Sequence, residues 1–253
     1  MAVRSQRRKG HNQNQMLGNI RNIPAMGQSL SVWSLKRIMP PSLGFCLTCA
    51  GMVSTLSIFI LAAALATFPG DQGALEGFRS NESKWLDSAA LAVTTLGGQL
   101  VAAALVIGLI SLLVFARRRV DAMVVLISAA PIVAGILLKD VVGRARPDLM
   151  IIGSEPTSLS FPSGHALFAM IFGGILIILA GDLIKPVKLR WAIQIGLVLL
   201  IMAVGASRVY LGFHYPSDVL GSYLFGAMAL LGLVRVRNWF AIKSATPVGA
   251  TGQ

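Results

Sequence analysis

Charge is scarce in this sequence. Only 13% of its 253 residues are charged, and just ten are acidic, where a soluble domain carries about a quarter charged residues. With 55% apolar residues and a mean hydropathy of +0.73, a soluble globular domain is excluded and the chain reads as a membrane protein. Cysteine is nearly absent: Cys46 and Cys49 are the two, too few for a disulfide framework. Three histidines in the whole chain add too little for a four-ligand zinc site, and Cys46-Leu-Thr-Cys49, inside an apolar run, reads as helix packing.

The shortage of acid leaves a net charge of +12, which in a soluble chain would suggest a nucleic acid as partner. Placement along the chain argues otherwise. Six apolar runs approach or exceed the length that a bilayer core of roughly 30 Å requires, each bounded by charges or Pro/Gly clusters. They cover about 43–68, 96–116, 120–138, 165–180, 191–206 and 219–234; the last three are short, so their ends extend into flanking residues. The first is too long, and follows too many polar residues, to be a cleaved signal peptide despite Ala64-Leu65-Ala66, so it reads as an uncleaved anchor. The expected fold is all-α: a polytopic membrane protein, a bundle of six transmembrane helices with its active site at the outer helix ends. Residues 1–42 form a basic cytoplasmic segment, disordered to about Gln28, with an interfacial helix where Val32, Trp33 and Leu35 mix with Lys36 and Arg37. Residues 43–236 form the six-span domain and 237–253 a short cytoplasmic tail.

Alternation across six spans puts the N-terminus, the 117–119 and 182–190 connections and the C-terminus on one face. Sixteen of the 22 basic residues lie there with only Asp121 and Asp182, a net of +14, against −2 on the opposite face. The positive-inside rule then places both termini in the cytoplasm of a plasma or inner membrane. The charge is an orientation signal, and no nucleic-acid partner is implied.

Six basic residues break this pattern, and Lys139, Arg144, Arg146 and Arg208 fall in two short outer segments. Cations beside a translocated segment oppose the orientation signal, which makes a functional demand for positive charge the working hypothesis. Simple pairing with lipid phosphate, or with Asp140 and Asp148, is the plain alternative. His165 and His214 fall in the same outer connections, each at the mouth of a span. Fixed cations beside two groups that exchange protons near neutral pH suit a phosphate ligand.

Three segments carry these residues. Lys139-Asp-Val-Val-Gly-Arg-Ala-Arg146-Pro147 sets two cations seven positions apart, with Gly143 allowing a tight turn and Pro147 ending any helix. Arg offers a planar fork to two phosphate oxygens, Lys a compact point charge. Phe161-Pro162-Ser163-Gly164-His165 opens the fourth span. Ser163 is an N-cap residue type and Gly164 lets backbone approach a ligand, so N–H groups of the first turn face an anion with the helix dipole behind them. Capping alone explains Ser163 and Gly164 but not His165. Ser207-Arg208-Val-Tyr-Leu-Gly-Phe-His214-Tyr-Pro216-Ser-Asp218 joins the fifth and sixth spans. Pro216 suits the first turn of a helix, and Asp218 in that turn reaches back to His214. A carboxylate on one imidazole nitrogen fixes the tautomer and leaves the other nitrogen free as a nucleophile.

Together the segments resemble the three signature motifs of the type-2 phosphatidic acid phosphatase superfamily, which includes membrane lipid phosphatases and vanadium-dependent haloperoxidases. The resemblance covers residues 139–218 by motif, and the six-span layout is similar to the integral-membrane branch. It implies that His214 is the nucleophile and forms a phosphohistidine, that Asp218 orients it, and that His165 is general acid and then base. It further implies that Lys139, Arg146 and Arg208, with Ser163 and the backbone N–H of Gly164, hold the non-bridging oxygens, and that no metal or other cofactor is needed. Arg144 lies in the variable stretch of the first motif, as a head-group ligand or a flanking residue, with Asp140 and Asp148 as charge partners of Arg144 and Lys139.

The implied substrate is a lipid phosphate monoester or diphosphate: phosphatidate, phosphatidylglycerol phosphate or a polyprenyl diphosphate such as undecaprenyl diphosphate. The motifs bind what these share, and they leave open the choice among them, the choice between hydrolase and lipid phosphotransferase, and the oligomeric state. A haloperoxidase would use the same anion cage, but six spans argue against it. A transporter or non-catalytic lipid-binding protein also places cations at helix mouths, without needing His214 beside Asp218. Elsewhere, Gly173, Gly174, Gly196, Gly205, Gly221 and Gly226 are expected at close helix contacts and Gly97-Gly98 at a turn. The longest outer loop, 71–88, carries Phe78, Trp85 and Leu86 to the interface, where it lines lipid access.

Overall fold

The computed structural model describes residues 41–148, 152 and 157–245. The basic segment with its interfacial helix, and the tail beyond residue 245, lie outside the described residues. Among those described, the regular structure is helical: α1 (Pro41–Ala64), α2 (Asp71–Arg79), α3 (Lys84–Thr95), α4 (Gln99–Phe115), α5 (Arg119–Ile127), α6 (Ala129–Val142), α7 (Gly164–Leu183), α8 (Val187–Tyr210) and α9 (Pro216–Ala245).

Among the described residues, five stretches are long and apolar enough to cross a membrane: Leu43–Ala64, Arg119–Val142, Gly164–Leu183, Val187–Tyr210 and Pro216–Lys243. The second joins α5 to α6 across a break at Ser128. Pro131 accounts for the break, since its ring excludes the carbonyl of Ile127 four residues back and it has no N–H to donate. The Ser128 hydroxyl donates instead to the Val125 carbonyl at 2.6 Å. Helices α3 and α4 pass the same test only as a pair, bent by 48°, which makes six spans if they count as one. The second apolar run therefore does not begin afresh at residue 96: Gly97-Gly98 is the hinge of a longer, bent element. The chain is an integral membrane protein.

The last helix runs 30 residues, from Pro216 to Ala245, past the point where Arg235 and Arg237 were expected to close it. Its cations are satisfied in place. Arg237 donates to Asp121 at 2.5 Å and to Asp182 at 2.7 Å, and Arg118 to Asp121 at 2.5 Å. The two acidic residues of the basic face thus tie the start of α5 to α7 and α9, at the end of the bundle away from the three motifs.

Helix α7 is the centre of the bundle, packing on α6, α8 and α9. In its most apolar window 61% of residues are buried, against 11% for α1. Leu167 and Ile171 of α7 and Val125 of α5 form the middle of the main core. Close crossings depend on small residues: a Cβ at Gly205 would fall 2.1 Å from the Tyr223 hydroxyl, where α8 meets α9. Gly196 differs from its group, since open space surrounds it and helix contact does not account for it. Cys46 is likewise exposed on α1, so packing within the described chain does not explain it.

Within residues 71–88, α2 buries Leu75 completely and leaves Phe78 40% exposed. This helix docks on α8 and α9, which carries Asp71 into the bundle.

Candidate active site

The three motifs meet at one end of the helices. Lys139 lies in the last turn of α6, which stops because Gly143 takes a left-handed conformation, φ 69°, and donates its N–H to the Lys139 carbonyl at 2.8 Å. Arg208 lies in the last turn of α8, Gly164 begins α7, and Pro216 begins α9 with Asp218 in its first turn.

His214 Nδ1 is 3.4 Å from Asp218 Oδ2. The same oxygen accepts the Tyr215 N–H at 2.9 Å and the Ser160 hydroxyl, while Oδ1 accepts Arg144 at 2.5 Å. Both Asp218 and His214 are buried. Burial drives the His214 pKa down from 6.5 to about 3; the hydrogen bond and charge of Asp218 oppose this, and Arg208 and Arg146 add to it. The imidazole is therefore neutral near pH 7, with Nδ1 toward Asp218 and Nε2 toward Arg146, whose Nη1 lies 3.3 Å away.

Arg146 stands beside that nitrogen, and Lys139 and Arg208 lie at the same end of the bundle. Arg146 is fixed by the Phe213 carbonyl at 2.5 Å and by the carbonyl and hydroxyl of Ser158 at 2.7 and 3.0 Å. Burial holds it below the ordinary guanidinium range, with Asp218 opposing. Lys139 Nζ donates to the Leu159 carbonyl at 2.6 Å and faces that of Ser160 at 3.3 Å. Arg208 donates through Nη1 to Thr94 at 2.7 Å and lies 4.1 Å over the Phe213 ring. Arg208 holds Thr94, three residues before the Gly97 that meets the His165 ring, and Lys139 and Arg146, the latter beside His214, both reach the Leu159 carbonyl, so the two histidines and three cations lie at one end of the bundle.

Two buried polar atoms in this site have no partner among the described residues: Ser163 Oγ and Arg208 Nε. Ser163 occupies the N-cap position of α7 without making a side-chain cap. A buried hydroxyl that neither caps nor bonds, like a buried guanidinium N–H without an acceptor, is an uncompensated cost unless a ligand satisfies it. Gly164 and His165 are only half-buried, which leaves the site open on that side. The His165 ring rests against Gly97, where a Cβ would fall 2.6 Å from its Cδ2.

Arg144 is placed differently from the sequence reading. It pairs with Asp71 at 2.8 Å and Asp218 at 2.5 Å, and it donates to Ser217 Oγ at 2.8 Å and the Ala66 carbonyl at 3.1 Å. Neither Asp140 nor Asp148 hydrogen-bonds to it, and both are exposed; carbonyls hold the Lys139 ammonium, while Asp140 acts on Lys139 through its charge alone. With its donors engaged, Arg144 is not a free head-group ligand. Asp71 was not singled out from sequence. It accepts the Ser217 N–H at 3.0 Å and the Ser217 hydroxyl at 2.6 Å, capping α9 from a distant helix. Ser160, Thr94 and Gly97 were also missed; an acid directly after Pro69-Gly70, opening an amphipathic stretch, was the available signal for Asp71.

Residues 119–242 match the family model described as the PAP2 superfamily. Over 178 residues the chain is 29% identical to phosphatidylglycerophosphatase B of Bacillus subtilis, covering 68% of this chain and 87% of that protein. It is 30% identical over 138 residues to an undecaprenyl-diphosphatase of Sulfolobus acidocaldarius, covering 52% of this chain but only 63% of that protein. The crystal structure of a transmembrane PAP2-type phosphatidylglycerolphosphate phosphatase from Bacillus subtilis superimposes with a TM-score of 0.64 at 25% identity, over 79% of this chain and 98% of that one.

Proposed function

The chain is a member of the PAP2 superfamily through residues 119–242, and from this we propose that it is a membrane lipid phosphatase acting on a lipid phosphate monoester or diphosphate. The observation that carries the reading is the pair of unpartnered buried donors, Ser163 Oγ and Arg208 Nε, in the site where His214 Nε2 is held among cations. Relatives named for phosphatidylglycerophosphate and undecaprenyl diphosphate support the substrate class.

The reaction proceeds in two steps. The Nε2 lone pair of His214 forms a bond to phosphorus as the P–O bond to the leaving group breaks, and His165 gives a proton to the departing oxygen. His165 then takes a proton from water, whose oxygen attacks phosphorus; the P–N bond breaks, inorganic phosphate leaves and His214 is regenerated. Asp218 accepts Nδ1–H throughout and stabilises the charge that develops on the ring. Lys139, Arg146, Arg208, Ser163 and the Gly164 N–H bind the non-bridging oxygens as charge shifts during transfer. The site is rich in cations, which repel a divalent ion, so the reaction is metal-independent. The bent α3–α4 pair serves as the second of six spans, both termini are cytoplasmic, and the site faces the extracytoplasmic side.

The test is phosphate release by purified protein in detergent from phosphatidate, phosphatidylglycerol phosphate and undecaprenyl diphosphate, with EDTA present. Turnover of at least one substrate is expected, with none by His214→Ala. Full activity in that variant removes the mechanism, and abolition of wild-type activity by EDTA removes metal independence.

A further inference from the structure

An apolar cleft of about 190 Å³ lies between α4, α7 and α8. It exists because of the 48° bend between α3 and α4. Above the bend α3 packs on α8; below it α4 turns away to pack on α5, and the space left faces α7 and α8. Leu96, Gly97, Phe168, Phe172, Leu200 and Val204 are among its walls, and the Phe168 and Phe172 rings stack with centroids 5.1 Å apart. One wall is catalytic ground: the backbone of Gly97 lines the cleft and also rests against the His165 ring.

We propose that this cleft holds a hydrocarbon chain of the lipid substrate, on the His165 side of the phosphorus. The inference rests on the phosphatase reading and on the geometry of in-line displacement. The leaving oxygen departs opposite the attacking His214 Nε2, and the group that protonates it must stand beside it. The hydrocarbon is attached through that same leaving oxygen, so it extends past His165. The cleft meets His165 through Gly97. Lipid tails are as apolar as the helices around them, so moving one from bilayer to cleft gains little hydrophobic energy. What the cleft supplies is position: it holds the lipid so that its ester oxygen points at His165.

The test compares a long-chain and a tail-free substrate. Leu176→Trp and Leu200→Trp fill the cleft from its two walls, about three helical turns from His165 and about two from Arg208. For dioleoyl phosphatidate in mixed micelles, kcat/KM is expected to fall by roughly tenfold or more, while turnover of p-nitrophenyl phosphate stays at the wild-type rate. Equal losses on both substrates, or no loss on the long-chain one, overturn the assignment. Wild-type protein inert toward both substrates would instead defeat the phosphatase reading. A second measurement does not need turnover: a phosphatidate with a diazirine in its acyl chain, photolysed on His214→Ala, is expected to label residues 168–176 and 197–204. Excess phosphatidate, but not phosphatidylcholine, should suppress that labelling. Labelling confined to α1 or α2 overturns the proposal, as does labelling that phosphatidylcholine suppresses equally.

Discussion

Arg144 and Asp218 form an ion pair of 2.5 Å whose side chains are 1% and 0% exposed. Asp218 turns its other oxygen to His214 and Ser160, so the arginine orients the carboxylate that orients the proposed nucleophile. The same guanidinium holds Asp71, which caps α9 through Ser217. Removing one partner from a buried pair leaves uncompensated charge and costs about 3–5 kcal/mol. Arg144→Gln is therefore expected to melt at a distinctly lower temperature in detergent and to lose most phosphatase activity. Arg144→Lys restores charge but cannot reach four acceptors at once, and should fall between. A melting curve for Arg144→Gln that coincides with the wild type would show the network to be dispensable.

Ser163→Ala has the opposite profile. The hydroxyl is fully buried with no partner among the described residues, so its removal leaves no partner there unsatisfied and relieves a buried polar atom. Melting temperature should be unchanged or slightly raised. If the hydroxyl binds a phosphate oxygen as charge develops, kcat should nonetheless fall by roughly 10²–10³, as for loss of an oxyanion donor. A stable protein of full activity would exclude Ser163 from phosphate binding.

These two residues mark what was legible in the sequence. The apolar character of the spans and the helix-end positions of the motif residues could be read because their information is local: length, a proline or glycine at a helix end, and His214 four residues before Asp218. Ser163 was legible as an N-cap position, and the structure shows its hydroxyl making no cap. The Asp71 link was not legible, because its partner Ser217 is 146 residues away and nothing near Asp71 signals that α2 docks on α8 and α9. Arg144 was assigned to its sequence neighbours Asp140 and Asp148, which remain exposed. Burial, which makes a distant carboxylate the better partner, is a property of the folded bundle. The bend at Gly97-Gly98 was readable as a turn, but its closeness to His165 depends on how α3 packs.

Acid should reveal the cost of keeping His214 neutral. An unfolded histidine titrates near 6.5, whereas the folded value is depressed to about 3. Between those values the unfolded chain binds the proton and the folded chain does not. The stability associated with the neutral ring is therefore present above about pH 6.5 and is lost as pH falls toward 3. Melting temperature of the wild type is expected to drop across this window more steeply than that of His214→Gln, which cannot titrate there. Parallel curves for the two proteins would mean that His214 is not held neutral by the fold.

Gly97→Ala probes the contact with His165. The new methyl carbon would sit 2.6 Å from the ring, closer than atoms tolerate, so the imidazole must move. A displacement of about 1 Å at a reacting group costs on the order of a hundredfold in rate. Because the damage lies at His165 itself, kcat should fall alike for dioleoyl phosphatidate and p-nitrophenyl phosphate, in contrast to the variants that fill the cleft. A normal rate on both substrates would show that the ring has another place to go and that its observed position is not required.

Orientation can be measured apart from chemistry. Asn81 lies exposed between α2 and α3, and Lys188 is exposed near the start of α8, at the two ends of the bundle. With Cys46 and Cys49 replaced by serine, Asn81→Cys in intact cells is expected to react with a membrane-impermeant maleimide, and Lys188→Cys only after permeabilisation. The argument is the charge segregation expected from the sequence: alternation across six spans would put most of the chain's cations on the face bearing Lys188, and cations resist translocation. Lys139, Arg146 and Arg208 sit at the other end against that preference, which is intelligible if they bind phosphate there. Labelling in the reverse order would put them on the cytoplasmic side, where their charge needs no special explanation, and would move the substrate to the inner leaflet.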